Sequence, residues 1–193
     1  MIIYFEGGGD IKESILKKID ATAVSSIKEP SLLVIPWTTN EKIKLKKYNG
    51  IIKEYFKSLG VLKIRYLNYT DSKETIKKKF NKSNLVYLPG GDTAILVDKL
   101  KKKNIYHFLK NYRGVIIGNS AGAISLGTSS LKIVNFEIEP HYSAKNDSKL
   151  KKLSLKNKIY AVREDSSLVY YSKDKFKTLG VVYIFYKNKK KKL

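Results

Sequence analysis

The stretch GVIIGNSAGAIS, residues 114–125, places the hydroxyl of Ser120 among the smallest side chains available to a protein. A serine hydroxyl is a poor nucleophile until a neighbouring base takes its proton, and that base needs a third group to orient it. GxSxG directly after an apolar run is the pattern of a nucleophile elbow. In that turn a strained strand-to-helix junction lifts the hydroxyl above the sheet, and flanking side chains would collide with nearby backbone. The helix that follows would aim free N–H groups at developing negative charge. The same small residues would equally serve close packing or a phosphate cradle, so the partners of Ser120 decide the reading.

With only two histidines the search for a base is short. His107 lies in KKKNIYHFLKNYRG, a helical pattern in which a packed or surface role is expected. His141 lies in FEIEPHYS, after an extended run and a proline that holds the loop rigid, and is the candidate base. For the orienting carboxylate, Asp147 and Asp174 sit in lysine-rich surface stretches, and Glu137 and Glu139 precede the histidine. Glu164 follows the apolar run KIYAV, so it stands at a strand end. Glu164 is preferred, with Asp165 one step away and Glu139 the main competitor.

The elements that must position these groups follow from the apolar pattern. MIIYF, SLLVIPW, VLKIRYL and NLVYL alternate with the helical patterns IKESILKKI, EKIKLKKYNGIIKEYFKSL, SKETIKKKF and DTAILVDKLKKK. Short apolar runs between helices are strands covered on both faces, joined by right-handed crossovers into a parallel sheet. The expected architecture is a doubly wound α/β domain spanning 1–193, with ligands bound beyond the carboxyl ends of the strands. There the sequence places EGGGD, PWTTN, PGGDT and GNSAGA.

Composition bounds the rest. No apolar stretch approaches the roughly 20 residues of a membrane span, and the first residues lack the features of a signal peptide, so a cytoplasmic location is expected. Without cysteine, thiolate catalysis and disulfides are excluded. The formal charge of +22 raises a polyanion or nucleic-acid partner. The cations, however, are nearly all lysines spread over helix faces, whereas arginine is the usual reader of base edges. No specific nucleic-acid or membrane partner is expected. The tail 187–193 reads as a flexible, solvated terminus.

The set LPGGDTAIL, IIGNSAGA, IEPHYS and YAVREDSSL, in that order, resembles the dipeptidase E (aspartyl dipeptidase) and cyanophycinase-like family of serine peptidases. The resemblance implies a class I glutamine amidotransferase-like fold and a serine exopeptidase of short peptides that needs neither metal nor organic cofactor. GxSAGA gives Ser120 as nucleophile, the PHY motif gives His141 as base, and the downstream glutamate matches Glu164. GGDT points to the N–H groups of Gly91 and Ala121 as the oxyanion hole, with Gly90 an alternative to Gly91. Gly90, Asp92 and Asn119 are the expected substrate contacts. Aspartyl dipeptidases recognise the acidic side chain with an arginine from the region between the histidine and the glutamate. Here that segment is lysine-rich, and Lys149, Lys151 and Arg163 are the candidates, so at most a modest preference for Asp is expected. A cyanophycinase-like hydrolase and a polyanion-binding protein are the alternatives, and a homodimer is the expected assembly if one forms.

Overall fold

The computed structural model describes residues 1–13, 15–172 and 175–193. Asp174, one of the carboxylates weighed above, lies outside the described residues. Five strands form the parallel part of a seven-stranded sheet: β1 (Ile2–Glu6), β2 (Ser31–Val34), β3 (Lys63–Tyr66), β4 (Leu85–Leu88) and β5 (Val115–Asn119). With β8 (Ser167–Ser172) and β9 (Lys175–Leu179) the order is β3-β2-β4-β5-β1-β8-β9. The last two strands run antiparallel to their neighbours.

The alternation within each strand explains the layering. Ile3, Phe5, Leu33, Val86, Leu88 and Ile116 point to one face, where α3 (Lys73–Asn81), α4 (Thr93–Lys102), α5 (Tyr106–Lys110) and α6 (Ala121–Ser125) pack. Tyr4, Leu32, Val34, Leu85, Tyr87 and Ile117 point to the other, covered by α1 (Lys17–Ser25) and α2 (Lys42–Ser58). Phe5 and Phe56 are fully buried, one in each layer, and burial of such a side chain contributes roughly 1.5–3 kcal/mol. The helices expose their lysines and bury their apolar stripe, as α2 does with Ile52, Tyr55 and Phe56.

Three features depart from the sequence expectation. The first helix starts at Lys17 rather than near Ile11, because Asp10 closes a local turn: its Oδ1 accepts the Lys12 N–H at 2.9 Å and its carbonyl accepts the Glu13 N–H at 3.1 Å. The second is a separate four-stranded sheet, ordered β11-β10-β7-β6, built from β6 (Glu137–Glu139), β7 (Ile159–Val162), β10 (Val182–Tyr186) and β11 (Lys189–Lys192). KIYAV therefore ends in this second sheet and not in the central one. One face of the second sheet joins the large core through Tyr160, Val162 and Val182. On the other face Ile159, Ala161 and Phe185 cluster with Tyr142 and with Leu150 of α7 (Asp147–Leu153).

The third is the tail, where Lys189–Lys192 pair antiparallel with β10, Tyr183 opposite Lys192 and Tyr186 opposite Lys189. Lys190 is held by an ion pair to Asp147 at 2.8 Å and lies 4.4 Å from the centroid of the Tyr183 ring. The aromatic faces and the carboxylate supply what lysine composition alone does not reveal.

Candidate active site

β5 runs straight into α6, and Ser120 stands at the junction with φ 49° and ψ −105°. For a residue bearing a side chain this backbone costs about 1–3 kcal/mol, and it persists only where the surroundings enforce it. The surroundings do so here. The Ser120 N–H donates to the Glu6 carbonyl at 3.3 Å, and Gly122 lets α6 press onto β4, because a Cβ at that position would lie 1.9 Å from the Leu88 carbonyl oxygen. The small residues of GNSAGA therefore serve packing and presentation at once.

His141 and Glu164 arrive on neighbouring strands. β6 and β7 are parallel, with Glu139 beside Ala161, so the segments leaving their carboxyl ends emerge side by side. His141 Nε2 lies 2.8 Å from Ser120 Oγ, and His141 Nδ1 lies 2.7 Å from Glu164 Oε1. Glu164 is an acceptor, so the network assigns the ring proton to Nδ1, leaving Nε2 free to accept from the serine hydroxyl. With side chains 48% and 59% exposed, the His141–Glu164 pair fixes orientation and adds little to stability.

The other candidates are engaged elsewhere. Glu139 accepts from Asn146 at 3.4 Å, Glu137 from the backbone and hydroxyl of Ser129, and Asp165 from Ser166. Asp147 binds Tyr142 and Lys190. His107 sits on the exposed side of α5, stacked edge-on against Tyr106.

The loop after β1 is a determinant the sequence reading placed at the site without assigning it a task. Gly7 accepts the His141 N–H through its carbonyl at 2.6 Å. Gly8, at φ +99°, lies under the imidazole, where a Cβ would sit 2.1 Å from His141 Cε1. The run of glycines in EGGGD is the signal that could have revealed it.

Around Ser120 a cavity of about 400 Å³ is lined by Gly9, Gly90, Gly91, Asn119, His141 and Glu164, with Asp10 and Glu13 at its edge. Gly90 and Gly91 thus stand beside Ser120, and Ala121, the first residue of α6, has an N–H left free by its position in the helix. Asn119 is buried and donates to the Tyr87 hydroxyl at 3.4 Å. Asp92 caps α4 by accepting the Ile95 N–H at 2.9 Å. Lys149, Lys151 and Arg163 do not line this cavity.

The amino-terminal two thirds of the chain, residues 5–130, match the model of peptidase family S51. The chain belongs to peptidase family S51. It is accordingly an S51 serine peptidase, with the α/β fold of that family. Among solved structures the S51 chain is similar to a peptidase from an acI-B1 Actinobacterium (TM-score 0.76, 19% identity, covering 100% of this chain and 93% of that one). It is also similar to a protein described as a candidate peptidase E from Listeria monocytogenes EGD-e (TM-score 0.71, 18% identity, covering 92% and 97%). No curated protein sequence matches the chain significantly. Among the described residues no helix is long and apolar enough to cross a membrane.

Beneath the elbow of this S51 peptidase lies a buried acidic pair. Glu6 is fully buried, and burial followed by the nearby Asp20 pushes its carboxyl well above the usual range. Burial likewise pushes Asp20 up to about 6, against the lowering effect of the Tyr55 hydroxyl, which donates to Asp20 Oδ2 at 2.6 Å. With both carboxyls ionised, the Glu6 oxygens would have no donor. With Glu6 protonated, its O–H donates to Asp20, and the pair shares one proton.

A carboxyl that holds its proton more tightly when folded loses stability as pH rises from its unfolded pKa to its folded one. For Asp20 that window runs from about 4 to about 6. Asp20→Asn keeps an acceptor for Tyr55 and removes the titration of that carboxyl. Relative to the parent, the variant should gain stability in urea unfolding as pH rises through this window. A difference between the two proteins that does not change with pH would remove Asp20 from this role.

Proposed function

We propose that the protein is a serine exopeptidase of short peptides, with Ser120 as nucleophile, His141 as general base and Glu164 as the group that orients it. The observation that carries this reading is the continuous chain from Ser120 Oγ through both imidazole nitrogens to Glu164, at 2.8 Å and 2.7 Å. His141 takes the hydroxyl proton as Ser120 Oγ bonds to the scissile carbonyl carbon. The carbonyl oxygen becomes an oxyanion facing the N–H groups of Gly91 and Ala121, each donor contributing on the order of 10²-fold or more in rate. His141 then gives the proton to the departing amine, the C–N bond breaks, and an acyl-enzyme remains. Water, deprotonated by the same imidazole, releases the acyl group and returns the proton to Ser120.

The modest cavity supports short substrates over folded chains. Its carboxylates, Asp10, Glu13 and Glu164, disfavour a phosphate backbone despite the overall +22 charge, because like charges would meet at close range.

The test is labelling with a small alkyl fluorophosphonate followed by peptide mass spectrometry. A single adduct on Ser120 is expected, slowed by orders of magnitude in His141→Ala. Modification at another residue, or equal rates in the two proteins, would refute the assignment.

A further inference from the structure

Next to the Ser120 cavity is a second one of about 370 Å³, and Gly9, Asp10, Gly90, Gly91 and Asn119 line both. Its lining combines the apolar surfaces of Ile11, Leu45, Tyr48, Ile52, Tyr87 and Ile95 with Thr38, Thr39 and a few charged groups. From these surfaces we infer that the enzyme prefers substrates whose acyl-side residue carries a large apolar side chain of leucine or phenylalanine size, and rejects aspartate there. The inference rests on the Ser120 reading given above.

Two observations fix the side chain and the side of the scissile bond. His141 must reach the leaving nitrogen, so the leaving residue lies on the His141 side of Ser120. Gly91 and Asn119 line the second cavity, whereas His141 and Glu164 line only the first. It therefore faces the residue whose carbonyl enters the oxyanion hole. Its charge pattern then excludes an acid. Three carboxylates, Asp10, Glu41 and Asp92, stand on its lining against one cation among the described residues, Lys44, which lies 3.5 Å from Glu41. A carboxylate entering would be desolvated against apolar surface, among more anions than cations and with no guanidinium on the lining. An apolar side chain would instead release water from Ile52, Ile95 and Tyr87.

The experiment compares inactivation by α-aminoalkyl diphenyl phosphonates carrying Leu, Phe, Ala or Asp side chains. A small alkyl fluorophosphonate, which carries no side chain, is run in parallel. The Leu and Phe reagents should react at least tenfold faster than Ala and a hundredfold faster than Asp. Leu45→Arg, with Tyr48→Arg as a second variant nearer the solvent, should slow the Leu reagent and accelerate the Asp reagent while the fluorophosphonate rate stays unchanged. An Asp reagent as fast as Leu, or Leu-to-Asp ratios unmoved in both variants alongside normal fluorophosphonate labelling, would overturn the pocket assignment and leave the nucleophile standing. Failure of the fluorophosphonate itself to label Ser120 would overturn both.

Discussion

Ser120→Ala should lower kcat for peptide hydrolysis by on the order of 10⁴-fold or more while leaving the unfolding midpoint equal or slightly raised. Removing the nucleophile of a triad abolishes the covalent route, and the residual rate comes only from binding and the oxyanion donors. The stability half of the expectation comes from the backbone. Ser120 has its unfavourable φ because of the turn, and its side chain forms one hydrogen bond, to a half-exposed imidazole. Alanine keeps the same Cβ and loses little. Steady-state hydrolysis and urea unfolding on one preparation test both halves, and retention of more than a few per cent of activity would exclude Ser120 as nucleophile.

Gly8→Ala tests a residue that touches no bond being broken. The added methyl would have to occupy space 2.1–2.6 Å from three imidazole atoms, at a backbone φ of +99° that L-residues rarely adopt. Either the imidazole or the loop must move. A displacement near 1 Å is enough to cost about 10²-fold in a proton-transfer geometry. We therefore expect kcat to fall at least a hundredfold with a smaller change in KM, and fluorophosphonate labelling of Ser120 to slow in parallel. Normal labelling in this variant would show that the loop yields without disturbing the base.

The two variants probe parts of the protein that were not equally legible in the sequence. The parallel sheet could be read because β1, β2, β4 and β5 are short, almost wholly apolar runs separated by helices with lysine on one face. The elbow could be read because an unusual backbone demands an unusual composition. Ser120, His141 and Glu164 were singled out by type, by the scarcity of histidine and by resemblance, and they lie within hydrogen-bond reach of one another.

The second sheet was legible only in part. KIYAV and the extended run before His141 could be read as strands, but β6 has only three residues and β11 is all lysine, so no local pattern shows that they form a sheet of their own. Their pairing is long-range, with β6 found beside β7 across the excursion of residues 140–158. The acidic pair was hidden for a related reason. Glu6 reads as the polar end of a strand, and only the packing of α1 against β1 shows that its carboxyl meets Asp20 away from water.

Four consecutive lysines at 189–192 look interchangeable, and a filter for compositional bias would discard them as carrying no information. The fold assigns them unequal weight. Lys189, Lys191 and Lys192 are exposed, while Lys190 reaches Asp147, which also accepts the hydroxyl of Tyr142 at 2.6 Å, and Tyr142 is the residue next to His141. The three outer lysines can vary with little consequence, and the fourth is two hydrogen bonds and one peptide link from His141. In a lineage drifting in its use of lysine, such a run would erode around one fixed letter, and that survivor would mark a structural joint inside what looks like filler.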